Sequence, residues 1–128
     1  MGVLAYCPTC FRLVPATERI CLACGTDSGA LSSREFAAKL RAALGHPRGE
    51  VRLRACEILG QRGECAAVHD LLALARRETD TFVAAAAVTA VGQLAPEIAV
   101  TALEPFLAPE TPGRVRRVAL RAIESLRR

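Results

Sequence analysis

The sequence predicts a mainly α chain, an α-solenoid of three helical hairpins preceded by a small cysteine-rich knuckle. Three observations carry this. Two Cys-x-x-Cys pairs near the start are separated by ten residues. A ten-residue helical pattern recurs twice, each time 32 residues further on. Apolar residues make up 52% of the 128 residues but aromatics only 4%, and much of that apolar share is alanine. Alanine loses no side-chain entropy on entering a helix and lets helices pack closely, so this composition suits a helical core.

The first residues, Met1 to Cys7, carry no basic region and no apolar run of signal-peptide length. No stretch approaches the roughly 20 apolar residues of a membrane span. Six cysteines without a secretory signal point to metal ligands more than to disulfides, so a reducing compartment, the cytoplasm, is expected.

Cys7-Pro8-Thr9-Cys10 and Cys21-Leu22-Ala23-Cys24 are the two pairs. Two residues between cysteines let a tight turn aim both thiolates at one ion, with backbone N–H groups facing the sulfurs. Two such turns complete the tetrahedral thiolate shell that zinc prefers. Gly25 follows the second pair and can supply the positive φ that closes such a turn. Phe11 stands at the matching place after the first. Between the pairs, Phe11–Val14 and Glu18–Ile20 read as short strands around a Pro15-Ala16-Thr17 turn.

Residues 4–26 resemble a short bacterial zinc ribbon. The resemblance implies a closed structural zinc site with Cys7, Cys10, Cys21 and Cys24 as ligands. So short a segment has no room for a real core, and metal would supply most of its folding free energy. Iron with the same four ligands and a redox dithiol are the alternatives, although the βαβ setting usual for a redox Cys-x-x-Cys is absent.

Gly25 to Gly29 is a loop by composition, which puts a ribbon and linker at 1–30 and a repeat domain at 31–128. Ser32-Ser33-Arg34-Glu35 reads as a capping box that opens a helix over 34–45, stopped by His46-Pro47. Helices are also expected over 66–77 and 97–108. Each of the three precedes one copy of the repeated pattern, which starts at Val51, Val83 and Val115. Matching core positions are Val51/Val83/Val115, Ala55/Ala87/Ala119, Ile58/Ala90/Ala122 and Leu59/Val91/Ile123. Paired helices at such a period mean a solenoid of hairpins. Residues 47–60, with a turn before a Val51-Arg52 start, resemble the short HEAT-like repeats of bacteria. The resemblance covers 34–128, and Ala84 departs from the Val-Arg start in the second copy. Solenoid ends need capping, which makes the ribbon a candidate lid on the first hairpin.

The net charge of +4 is unevenly placed. Six arginines against Glu124 alone put the whole basic excess in residues 114–128. Arg114, Arg117, Arg121 and Arg128 share one helix face and form a candidate site for anions or an acidic partner. The competing reading is a polar outer face that ends the stack. Positions matching Arg114, Arg117 and Arg121 are Glu50, Leu53 and Glu57, then Phe82, Ala85 and Thr89, so no basic groove runs the length of the repeats. Cys56 aligns with Val88 and Leu120 and reads as a core residue. No catalytic constellation can be assembled from the sequence. A non-catalytic protein-interaction module, with another protein as partner and no membrane, is therefore expected. Nucleic-acid binding through the ribbon and the arginine helix is the alternative.

Overall fold

A computed structural model of the chain describes residues 4–7, 10, 12–15, 17, 19–25, 27 and 33–127. Ser32 of the expected capping box, Phe11 of the first cysteine turn and Arg128 of the arginine stripe lie outside them.

The N-terminal part holds a two-stranded antiparallel pair, β1 (Leu4–Tyr6) and β2 (Leu13–Pro15), with Tyr6 opposite Leu13 and Leu4 opposite Pro15. This corrects the expected hairpin around Pro15. The reason is the cysteine turn itself. To face Cys7 and Cys10 toward one point the chain must reverse between them, and the residues that flank the reversal are brought side by side. The Cys7 N–H donates to the Arg12 carbonyl at 2.9 Å inside that reversal.

Six α-helices follow among the described residues: α1 (Ser33–Ala43), α2 (Gly49–Arg62), α3 (Val68–Arg77), α4 (Thr81–Leu94), α5 (Pro96–Leu103) and α6 (Gly113–Leu126). The second helices of the three hairpins, α2, α4 and α6, begin 32 residues apart, as the repeat requires. Helix α1 stops short of the expected end. The N–H groups of Leu44, Gly45 and His46 donate three residues back, at 3.1–3.2 Å, tightening its last turn. Helix α2 ends at Gly63, whose φ of 72° lets its own N–H reach Gly60 and that of Glu64 reach Leu59. Asp80 caps α4, its carboxylate accepting from the Phe82 N–H at 2.9 Å. The expected helix over 97–108 is split. Pro105 has no N–H for the carbonyl four residues back, and Glu104–Leu107 form a 3-10 turn instead.

The rows of matched residues form the core. Val51, Val83, Val115, Ala55, Ala87, Ala119, Leu59, Val91 and Ile123 are all buried. Helix α4 lies at the centre, against α2 and α6 on its sides and against α3 and α5. It is apolar nearly all round, as a helix enclosed by neighbours must be. Close approach comes from small residues. A Cβ added at Gly60 would stand 3.3 Å from the Ala90 Cβ and would also meet the Gln93 amide. One added at Gly92 would stand 3.6 Å from the Ala122 Cβ.

A polar clamp joins the first hairpin to the second, beside the Arg41–Asp70 pair between α1 and α3. Arg52 donates to both carboxylate oxygens of Glu78, at 2.7 and 3.0 Å, and to the carbonyls of His46 and Pro47. The Glu78 side chain is only 4% exposed. Its carboxyl is held below the ordinary 4.5, first by the Arg52 hydrogen bonds. The third hairpin repeats part of this, with Arg116 donating to the Pro109 carbonyl at 3.4 Å.

A group whose folded pKa is depressed stabilises fully above its unfolded value, and that stability fades as pH falls through the folded one. Glu78→Gln should therefore lose roughly 1.5–3 kcal/mol at neutral pH, the range for a hydrogen bond to a charged group. In urea melts at several pH values, the gap to the unsubstituted protein should narrow below about pH 4.5. A gap of unchanged size down to pH 3.5 would show that the ion pair carries none of it.

Candidate metal centre and helical face

The four cysteines of the two pairs converge. Their sulfurs all lie within 4.8 Å of one another, with Cys7 to Cys24 and Cys10 to Cys21 at 3.6 Å. All are free thiols, and these distances are far beyond the roughly 2.0 Å of a disulfide bond. The two turns are built alike. Each pair is flanked by one cross-chain pairing, Tyr6 with Leu13 and Ile20 with Asp27, in the same register relative to the cysteines. Gly25 has φ 78° and donates its N–H to the Cys21 carbonyl at 2.8 Å. Arg19 pairs with Asp27 at 3.0 Å and ties the second loop shut.

Electrostatics within the cluster follow from backbone donors and crowding. N–H groups of Cys24 and Ala23 lower the Cys21 thiol. The Arg12 N–H acts likewise on Cys10, but burial and the three neighbouring sulfurs push that thiol up to about 11. Backbone donors favour the thiolate form and a cation relieves the mutual crowding of the sulfurs, so the four-cysteine cluster could hold a metal ion. Cys56 is a separate case. It is fully buried between repeats, and burial pushes its thiol up to about 12, which suits an inert core residue.

The second helices present matched side chains on their open side, here termed the front face. Glu50, Phe82 and Arg114 form one row and Glu57, Thr89 and Arg121 another, each exposed or half-buried. Chemistry changes along each row. At the first hairpin the carboxylates are paired, Glu50 with Arg48 and Glu57 with Arg54. In the middle stand an exposed Phe82 and neutral Thr89. At the last hairpin the Arg114 guanidinium lies over the Phe82 ring, 3.9 Å from its centroid. Among the described residues, Arg114, Arg117 and Arg121 enter no ion pair.

The arginine stripe thus divides. Arg114 and Arg121 belong to the front face, and Arg121 lines a groove between α4 and α6. Arg117 takes the place that Leu53 and Ala85 half-bury in the earlier repeats. Phe82 had no prominence in the sequence, because its role depends on an arginine 32 residues away. The repeat alignment of Phe82 with Arg114 was the signal that could have found it.

A family model described as HEAT repeats matches residues 37–124. No curated protein and no solved structure gives a significant match.

Proposed function

The chain belongs to the HEAT-repeat family, and on that premise we propose that it is a non-catalytic protein-interaction module, a scaffold or adaptor, stiffened by a structural zinc ion. The observation that carries the reading is the front face of the stack. It combines an exposed aromatic, an apolar groove and arginines that have no carboxylate partner among the described residues, all on the packed helices α4 and α6, which is the mixture that protein interfaces favour.

Zinc is the metal that the donor set favours. A tetrahedral ion with Zn–S of about 2.3 Å needs sulfurs about 3.8 Å apart, and the four sulfurs lie within that neighbourhood. Cys7, Cys10, Cys21 and Cys24 would be its ligands. Thiolates kept reduced for a metal fit the cytoplasm. In the described residues no helix is long and apolar enough to cross a membrane.

Nucleic-acid binding through the ribbon and α6 is the second reading, favoured by the basic excess of the last helix. The carboxylates at the other end of the front face weigh against it. Phosphate contacts give affinities that fall steeply with salt.

Two outcomes are expected. Protein purified without added metal should carry one zinc per chain by elemental analysis, and Cys10→Ser should lose it; iron, or no metal, would refute the assignment. In binding titrations between about 50 and 200 mM salt, generic DNA and RNA should bind weakly. Submicromolar, steeply salt-dependent binding of either would put the nucleic-acid reading first.

A further inference from the structure

We propose that the groove between α4 and α6 is the docking site for an acidic segment of a partner protein, which inserts an apolar side chain between the helices and sets carboxylates over Arg114 and Arg121. This rests on the interaction-module reading and narrows it to a place and a chemistry.

The groove encloses about 350 Å³, near the lower end of the roughly 300–1,000 Å³ of ordinary binding pockets. Its walls are apolar, with Val118, Ala122 and Leu126 from α6 facing Gly92 from α4. The same small residues that bring the helices together leave this space open, because Gly92 contributes no side chain and Ala122 only a methyl. Uncharged Thr89, Gln93 and Ser125 form the rim, and Arg121 supplies the charge.

Charge complementarity selects the occupant. Neither Arg114 nor Arg121 is neutralised by a carboxylate among the described residues. Glu124 is the single acidic residue of α6. Guanidinium groups match carboxylates in paired, planar hydrogen bonds, which a compact ammonium could not form. Arg114 is also pre-oriented. Stacked on Phe82, it has already lost much of the rotamer freedom that binding would otherwise remove.

The same features turn a nucleic acid away. Arg114 already stacks on the Phe82 ring and competes with a base for that platform. A phosphate backbone following the face beyond α4 would leave the unpaired arginines behind and meet Arg48 and Arg54 already engaged by Glu50 and Glu57. A short acidic element held at the α6 end meets the unpaired guanidinium groups of Arg114 and Arg121 beside an apolar groove. An amphipathic helix or extended segment with one apolar anchor satisfies this.

The test is a titration of the isotope-labelled full chain, followed by backbone amide shifts. The probe is an acidic amphipathic peptide of about 20 residues, built from glutamate and leucine. Controls are the same peptide with lysine for glutamate, and oligo-dT of about 12 nucleotides. The acidic peptide should saturate, with shifts centred on Gly92, Gln93, Ala122 and Ser125, and should bind more tightly than either control. Arg121→Glu and Ser125→Trp both alter exposed positions, so each should keep its melting temperature. Each should weaken binding by about tenfold, Arg121→Glu through the loss of a charge-assisted contact and Ser125→Trp by filling the groove. Saturation with shifts confined to another face would overturn the groove while leaving the interaction-module reading intact. Absence of saturation at millimolar peptide, tighter binding of oligo-dT, or unchanged affinity in both variants would overturn the proposal.

Discussion

Close contact between neighbouring second helices is the constraint on which the rest of the molecule depends. Where α2 meets α4, Gly60 has no side chain and Ala90 presents only a methyl. Where α4 meets α6, Gly92 and Ala122 repeat the arrangement one step along. Packed helices usually lie 8–10 Å apart, and small residues at the contact set the near end of that range. At this distance side chains on adjacent front rows can touch. The Arg114 guanidinium reaches the Phe82 ring only because the helices beneath them are this close.

The same geometry explains why the three hairpins differ in character. Helix α4 has neighbours on both sides and can be apolar nearly all round. The residue that matches Cys56 and Val88, both fully buried, is Leu120, which is 45% exposed. Around Leu120, the position that Gly60 and Gly92 turn toward the following repeat is filled in α6 by Glu124, and Arg117 stands where Leu53 and Ala85 are half-buried, both charged residues exposed. Charged residues there keep the face soluble, as terminal solenoid repeats require. Part of the basic excess of α6 therefore serves the end of the stack. Arg114 and Arg121, on the adjacent front face, are left to meet a partner.

Much of this could be read from the sequence, because both signals are periodic. The 32-residue shift placed α2, α4 and α6 and identified their buried rows. The Cys-x-x-Cys spacing brought four distant thiols to one point. What the sequence concealed depends on contacts between separate elements. Pairing of Leu4–Tyr6 with Leu13–Pro15 follows from the reversal at the first cysteine turn, while strand propensity alone favoured a hairpin around Pro15. Arg52 was visible as half of a Val-Arg signature, but its partner Glu78 lies 26 residues on, at the end of a helix in the next hairpin. Pro105 was plainly present inside the expected helix over 97–108, and its missing N–H is why that helix ends at Leu103. Ala122 looked like one more core alanine until its contact with Gly92 opened a groove beside it. The helical core contains none of the four cysteines, so the two periodic signals describe separate packing problems.

The most direct measurement is the urea-unfolding free energy of Gly60→Leu, with Gly45→Ala as a control at an exposed turn where a Cβ meets only the Ala42 carbonyl, at 3.6 Å. A leucine at position 60 must push α2 and α4 apart, and overpacking of this kind costs about 1–3 kcal/mol. A midpoint lowered by that amount with an unchanged slope, beside a near-neutral control, is the expected result. A Gly60→Leu protein as stable as the original would contradict the claim that close contact between the second helices holds the stack together.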